Sequence, residues 1–325
     1  MKYLQHINGL IRATIESHDG PLVMLGQNIA AGSCLGGLTR NLPAGPTRRV
    51  LNTPNVENTL VGAGFGLMMT GVSAVFFMKQ QDFLLLGIDQ LVNTYNYVRQ
   101  SSPRASFTIV TIVVDTGYQG IQSSLNNFAD FCSIARVRGY AVTNRHDAEV
   151  VIANHLVAPG FRILGVSQRL FHTELIDWTE GPVESIDDGA LLRYATGADV
   201  TIAACNFAFP QASALRRELD ARGVSASLFS VNAALPVDWA PIVEDVKRTR
   251  TAILLDDSKS ANRPCYALAT ALYEHARCQR VLILARESTD DLLRPHPEEF
   301  TVSCDSVLRE LSDLVPGRIL ANPGG

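Results

Sequence analysis

The chain has 325 residues, with 28 Lys and Arg against 32 Asp and Glu and a formal net charge of −4. It is long enough to bury two cores of ordinary size, and without a basic excess it predicts neither a nucleic-acid nor an anionic-membrane partner. Its six cysteines show no CxxC spacing, which is typical of reduced thiols rather than of disulfides or a zinc site. Because no segment approaches the ~18 apolar residues of a membrane span and the N-terminus lacks a signal-peptide pattern, the sequence predicts a cytoplasmic protein.

Helix and strand patterns alternate along the first half of the chain. Apolar residues at helical period predict a helix over residues 3–17, with Ile7, Ile11 and Ile15 on one face. Such alternation favours a parallel sheet with helices on both faces. The remaining elements predicted here are strands at 22–25, 72–78, 106–114, 141–142 and 161–166, and helices at 59–70, 83–100, 125–134 and 148–157.

The alternation restarts after an acidic, turn-rich stretch between residues 175 and 198, which reads as a linker with at most one edge strand. Beyond it the patterns predict strands at 200–204, 226–231, 252–255 and 281–285, and helices at 210–222, 239–248 and 266–277. We therefore predict two three-layer α/β/α domains, over residues 1–180 and 198–325, joined by a linker at 181–197.

A single carboxylate, Glu57, stands where a tight loop meets a glycine-rich helix. The helix contains Gly62, Gly64 and Gly66, and each interior glycine costs about 0.5–1 kcal/mol relative to alanine. We therefore predict that this helix allows another backbone to approach it closely. A lone glutamate in a first helical turn is also favoured simply by the helix dipole. The glycine spacing does not fit the dinucleotide-binding pattern GxGxxG.

Two further stretches follow predicted strands. Residues 117–124 form a polar, glycine-containing loop after the strand at 106–114, and ligands bind beyond the carboxyl ends of strands in open α/β sheets. Gln122 and Ser123 in this loop are therefore site candidates by position, or ordinary loop polar residues. Asp256 and Asp257 end a strand of the second half, where a helix cap is favoured over a site.

Four motifs in the first third of the chain keep a recognisable spacing. They are Arg49-Val50-Leu51-Asn52-Thr53-Pro54-Asn55-Val56-Glu57, Gly62-Ala63-Gly64-Phe65-Gly66, Asp82-Phe83 and Asp89-Gln90-Leu91-Val92-Asn93. Together they resemble the beta subunit of thiamine-diphosphate-dependent 2-oxo acid dehydrogenases (pyruvate dehydrogenase-like), which is related to the carboxy-terminal half of transketolases. The resemblance implies a pyrimidine-binding thiamine-diphosphate fold followed by a transketolase C-terminal-like domain.

The resemblance also implies roles for individual residues. Glu57 would hydrogen-bond a ring nitrogen of the cofactor's aminopyrimidine, favouring the tautomer whose nitrogen removes the thiazolium proton. Phe83 would stack on the pyrimidine, and Lys79 lies near the same ring. Gln27 stands where the family carries an acidic residue, so it is a cofactor-binding candidate of altered charge.

Two departures from the family pattern bear on the chemistry. The family has Gln-His-Ser where this chain has Gln122-Ser123-Ser124, and serine cannot act as a proton shuttle near pH 7. Gln122 and Ser123 are thus predicted catalytic positions of altered chemistry. The chain also lacks the Gly-Asp-Gly and following Asn that place oxygen ligands on Mg²⁺. The metal is therefore expected mainly on a partner, with no ligand predicted in this chain.

These observations predict a beta-type subunit that decarboxylates or cleaves a pyruvate-like 2-oxo acid and transfers the acyl or two-carbon unit. It would need an alpha-type partner carrying the diphosphate and Mg²⁺ half of the site, and would pair with itself within an alpha2beta2 assembly. One alternative is a subunit of a split transketolase or biosynthetic carboligase. An alternative of another class is a non-catalytic structural or regulatory partner with the same fold.

Overall fold

The computed structural model describes residues 1–120, 125–234, 236–286 and 300–311. Its first half is organised around a six-stranded sheet with the order β2-β1-β3-β4-β6-β5, in which every neighbouring pair is parallel. The strands are β1 (Leu22–Gly26), β2 (Arg48–Asn52), β3 (Ser73–Met78), β4 (Ser106–Val113), β5 (Gly139–Val142) and β6 (Gly160–Ser167).

Helices cover both faces of this first sheet. Those of this half are α1 (Tyr3–Glu16), α2 (Glu57–Met69), α3 (Tyr95–Val98), α4 (Phe128–Ala135) and α5 (Arg145–His155). Ile7 and Ile11 of α1 share one buried core with Val151 of α5, as the predicted apolar stripe requires. Phe65 of α2 and Phe131 of α4 belong to a second core on the opposite face.

The second half repeats the three-layer arrangement. Its sheet has the order β12-β11-β9-β10-β8-β7, parallel except that β8 runs antiparallel to both β10 and β7. The strands are β7 (Glu184–Ile186), β8 (Leu191–Ala195), β9 (Val200–Cys205), β10 (Ala226–Val231), β11 (Thr251–Asp256) and β12 (Arg280–Ala285), and the helices are α6 (Phe209–Ala221), α7 (Ala240–Thr249), α8 (Pro264–His275) and α9 (Cys304–Leu311). The α6 and α9 helices share one core and α7 and α8 the other, so the predicted pair of three-layer α/β/α domains is confirmed.

The stretch predicted as a linker contains two strands rather than one at most. The β7 and β8 strands form an antiparallel hairpin that extends the edge of the second sheet. The turn between them contains Asp187, Asp188 and Gly189, all with positive φ. These polar turn residues interrupt the apolar pattern, so the two short strands were not predicted from the sequence. Leu192 and Tyr194 of β8 are buried, which explains why this acidic segment packs as sheet. The domain limits at 180 and 198 stay a prediction.

The regular α-helix predicted over residues 83–100 is wrong. The structure has a 3₁₀ segment at Gln81–Gly87, a π-helical turn at Gln90–Thr94, the short α3, and a 3₁₀ turn at Arg99–Ser101. The cause is close packing against α2. A Cβ on Gly87 would lie 2.9 Å from Val61 Cγ2, so the backbone at Gly87 is pressed onto that helix.

Among the described residues, the nearest atoms to two of the glycines of α2 belong to side chains and not to another backbone. A Cβ on Gly64 would lie 2.3 Å from the ring of Phe107, and one on Gly62 would contact the Gln90 side chain at 3.4 Å. Gly66 has no atom within 4 Å of its Cβ position. The close approach of another backbone to α2 is made possible by Gly87 instead. Within the described ranges, no helix has the length and apolar character needed to cross a membrane.

Asp256, at the end of β11, has the capping role that the sequence favoured. Its carboxylate accepts hydrogen bonds from the amides of Ser258 at 3.0 Å and of Cys265, near the start of α8, at 3.2 Å. The side chain is fully buried, and this burial raises the pKa of its carboxyl from 3.8 to about 6.

This raised pKa makes stability depend on pH. Because the folded chain binds this proton more tightly than the unfolded chain does, the stabilisation is present below pH 3.8 and is lost as the pH rises through about 6. Asp256→Asn removes the titration. Between pH 4 and pH 7, its free energy of unfolding should therefore gain about 2 kcal/mol relative to the parent chain. Urea unfolding at both pH values measures this, and a difference independent of pH contradicts it.

Candidate active site

A recess opens at the carboxyl ends of β1 and β3, and it brings together four residues predicted from the sequence. Gln27 follows β1, Lys79 follows β3, Glu57 begins α2, and Phe83 lies in the 3₁₀ segment. The space is about 210 Å³, including the part open to solvent. Its lining residues are Gln27, Pro54, Asn55, Glu57, Leu60, Phe76, Phe77, Met78, Lys79 and Phe83.

The backbone at the end of β1 explains why Gln27 reaches this recess. Gly26 has φ +151°, and a Cβ there would lie 2.3 Å from the carbonyl oxygen of Phe77 in β3. Only glycine lets the two strand ends come this close. The loop before Glu57 is attached to the same point, because the Thr53 amide donates to the Gly26 carbonyl at 3.1 Å.

Glu57 is the most unusual group in the recess. Its side chain is only 5% exposed, yet no hydrogen bond or ion pair reaches its carboxylate from the described residues. Its position in the first turn of α2 favours the negative charge by about 0.3–1 kcal/mol. The carboxylate can therefore accept a hydrogen bond from another molecule at the recess.

The other lining residues complete a half-polar, half-apolar surface. Gln27 is half-buried, and its Oε1 is buried without a hydrogen-bond partner in the part of the chain that the structure describes. Phe83 is half-buried and gives the recess an aromatic wall, whereas Lys79 is exposed at its edge. A flat, heteroaromatic molecule that carries N–H donors matches these groups: it would stack on the ring and bond to the oxygens.

Gln122 and Ser123, the other two predicted catalytic residues, lie outside the described residues, and their role stays a prediction. The described end of their loop contacts the residue that precedes Phe83. The amide of Leu125 donates to Asp82 Oδ1 at 3.0 Å, and Asp82 directly precedes Phe83. The loop after β4 therefore ends beside the segment that carries Phe83.

A buried charge cluster joins the carboxyl ends of the two sheets, and the sequence analysis missed its pairing. The Arg169 guanidinium lies 3.4 Å from Asp115 Oδ2 and 3.2 Å from Asp257 Oδ2, and neither aspartate is exposed. Burial raises the pKa of Asp115, and the positive charge of Arg169 opposes that rise. Arg286 donates to the backbone carbonyls of Asp257 at 2.7 Å and Asp115 at 2.9 Å. The available sequence signal was that Asp115 directly follows one predicted strand and that Asp257 lies two residues after another.

Among the described residues, no group of three or more His, Cys, Asp or Glu side chains is placed to hold a metal ion.

Comparison with known proteins gives relatives of low identity. No family model matches the chain. It is 21% identical over 241 residues to the pyruvate dehydrogenase E1 component subunit beta of Rhizobium meliloti, a match covering 70% of this chain and 50% of that protein. It is 22% identical over 327 residues to the 2-oxoisovalerate dehydrogenase subunit beta of Pseudomonas aeruginosa, covering 92% and 90%. The chain thus matches only half of the first relative's length and nearly all of the second's.

A solved structure described as "Split gene transketolase, inactive beta4 tetramer" superimposes with a TM-score of 0.70 at 13% sequence identity. The superposition covers 95% of this chain and 96% of that one, so the two share a fold. The resemblance indicated by the motifs is therefore confirmed: the chain is similar in sequence to the beta subunits of pyruvate and 2-oxoisovalerate dehydrogenases, and it has a transketolase-like fold over nearly its whole length.

Proposed function

We propose that this chain is the beta-type subunit of a thiamine-diphosphate-dependent enzyme that cleaves a pyruvate-like 2-oxo acid and transfers the acyl or two-carbon unit. The observation that carries the proposal is Glu57, a residue only 5% exposed whose carboxylate has no partner among the described residues. It lies in a recess with Gln27, Lys79 and Phe83, where the motif resemblance expects an aminopyrimidine.

The residues present fit the aminopyrimidine half of this cofactor. Two acceptors line the recess without partners among the described residues: Gln27 Oε1, which is buried, and the carboxylate of Glu57. An aminopyrimidine brings N–H donors to both. Phe83 supplies an aromatic face for stacking. The Gln27 side chain is neutral where the family has an acid, so Glu57 provides the anionic oxygen of this pair.

Each residue then has a defined task. When bound, thiamine diphosphate supplies a thiazolium carbon that attacks the substrate carbonyl and stabilises the carbanion left by cleavage. Glu57 holds a proton at a ring nitrogen and thereby sets the protonation state of the ring. Phe83 orients the ring and keeps water from its face. Lys79, exposed at the edge, adds a positive charge beside the recess.

The same proposal includes an alpha-type partner that holds Mg²⁺ and the diphosphate, beta–beta self-association in an alpha2beta2 assembly, and a cytoplasmic location. Support comes from the absent Gly-Asp-Gly and Asn motif in the sequence. It also comes from the relatives, which are named as beta subunits, and from the structural neighbour, described as a beta4 tetramer.

A split transketolase or biosynthetic carboligase is the second candidate. Ser123 stands where the dehydrogenase pattern has histidine, and the structural neighbour is described as a split gene transketolase. A substrate screen of the reconstituted pair separates the candidates. Reductive acylation of a lipoyl acceptor by pyruvate or a branched-chain 2-oxo acid supports the dehydrogenase, and two-carbon transfer from a ketose to an aldose supports the transketolase.

Calorimetry tests the proposal most directly. We expect the chain, co-purified with the product of a neighbouring gene that carries the Gly-Asp-Gly and Asn motif, to bind thiamine diphosphate with Mg²⁺ tightly. Phe83→Ala should weaken binding about tenfold, because the stacked wall is lost. Tyr97→Ala is the matched control, since that ring is 82% exposed. If the pair forms but binds no cofactor, the chain is a non-catalytic partner and the proposal is wrong.

A further inference from the structure

We propose that the loop after β11, residues 257–260, is a positioning loop: it holds the loop after β4 in place from the second sheet. The loop after β4 is described at 117–120 and 125–126, on either side of Gln122 and Ser123. The contacts between the two loops are seen directly in the structure. Only the expected effect on turnover rests on the proposed function.

Lys259 holds residues 117–120, the first described flank of the loop after β4. Its ammonium donates a hydrogen bond to the Gly117 carbonyl at 2.6 Å and lies 5.6 Å from the centre of the Tyr118 ring. Lys259 is half-buried and Tyr118 is only 7% exposed, so both contacts are largely shielded from water. A charge-assisted hydrogen bond in such surroundings is stronger than one at the surface.

The second described flank is held through Asn126, which is fully buried. Its carbonyl accepts from the Lys259 amide at 3.0 Å and from Ser258 Oγ at 2.9 Å. Its own amide group donates to the Asp257 carbonyl at 2.9 Å and accepts from Asn206 Nδ2 at 2.8 Å. The carbonyl and the side-chain amide of Asn126 therefore both bond to the second half of the chain.

The positioning loop is itself held by hydrogen bonds, and the loop that it contacts is bonded in turn to the segment that carries Phe83. Asp257 accepts hydrogen bonds from the Phe207 amide at 3.0 Å and Arg169 at 3.2 Å, and Arg286 donates to its carbonyl. On the other side, Leu125 is bonded to Asp82, next to Phe83 in the recess wall. Contacts therefore run without interruption from the second sheet to the wall of the candidate site.

This arrangement predicts an effect on turnover without an equal effect on cofactor binding. The four recess residues Glu57, Gln27, Lys79 and Phe83 all belong to the first half of the chain, and none of the contacts described for Lys259 involves them. Removing the ammonium should release the described flank at 117–120. The contacts of Asn126 do not use the ammonium, so they should persist and keep Leu125 and the recess wall in place.

Hydrogen exchange on the full-length chain tests the structural part. In Lys259→Met, amides in a peptide spanning residues 114–127 should exchange about tenfold faster, because a charge-assisted hydrogen bond is lost. Lys259→Arg, which keeps the charge and a donor, should restore most of the protection. Lys247→Met is the matched control, since that lysine is exposed and pairs with Glu244 on α7. Unchanged exchange in both Lys259→Met and Ser258→Ala overturns the proposal.

The reconstituted pair tests the functional part. We expect kcat to fall about tenfold or more in Lys259→Met, with thiamine diphosphate affinity within about twofold of the parent. An equal loss of cofactor affinity overturns the positioning role. If the parent pair binds no cofactor, the proposed function fails, and hydrogen exchange still decides whether the positioning loop holds the loop after β4.

Discussion

Glu57→Gln is expected to lower kcat of the reconstituted enzyme by about 10³-fold while leaving the chain as stable as the parent or more so. Glutamine has nearly the same shape and fills the same space, but its amide cannot take up or release a proton at a ring nitrogen. General acid–base groups contribute about 10²–10⁴-fold to rates, which sets the size of the expected loss.

The expected effect on stability follows from the lack of a partner for this carboxylate. Glu57 is 5% exposed and its carboxylate has no hydrogen bond or ion pair among the described residues, so the free chain loses no contact when it is replaced. Glutamine fills the same space without a charge, so stability should stay equal or rise slightly. Kinetics of the reconstituted pair and urea unfolding of the free chain measure the two halves separately.

A matched substitution distinguishes this role from a general loss of charge. Glu244 is exposed on α7 and pairs with Lys247, so Glu244→Gln should alter kcat and stability little. Turnover of Glu57→Gln above about one-tenth of the parent is incompatible with proton transfer through this carboxylate. A large loss of stability would instead identify Glu57 as a first-turn acid with a structural role.

The convergence of Glu57, Gln27 and Phe83 was predictable because each lies just beyond the carboxyl end of a strand in one parallel sheet. Parallel strands place these ends along a single edge, so residues 30 positions apart meet there. The same rule placed the loop after β4 near the recess. The order of the strands and the burial of each group depend on tertiary packing, so they could not be predicted from the sequence pattern.

The missed features share a physical cause. Arg169 pairs with groups 54 and 88 residues away in Asp115 and Asp257, and periodicity reports only on neighbours within one element. The segment after β3 keeps an apolar repeat close to that of an α-helix, but the contact of Gly87 with α2 changes its hydrogen bonding to 3₁₀ and π. Both the ion pairs of Arg169 and the irregular helix after β3 depend on contacts between residues far apart in the chain.

Two substitutions in α2 should change stability in opposite directions, although both replace glycine by alanine in one helix. For Gly64→Ala we expect a loss of about 3 kcal/mol in the free energy of unfolding, because the new methyl group would lie 2.3 Å from two atoms of the Phe107 ring. That ring has little room to move, since its centre lies 5.0 Å from the Phe65 ring and 5.1 Å from the Phe161 ring.

Gly66→Ala should instead stabilise the chain by about 0.5–1 kcal/mol, because its Cβ position has no neighbour within 4 Å and alanine favours the helix. Urea unfolding of both variants measures the contrast. Because α2 begins at Glu57, movement of the helix in Gly64→Ala should also weaken cofactor binding by the reconstituted pair, whereas Gly66→Ala should leave it unchanged. Equal effects of the two substitutions on stability would mean that α2 does not pack on Phe107 as described, and the position of Glu57 at the recess would then lose its support.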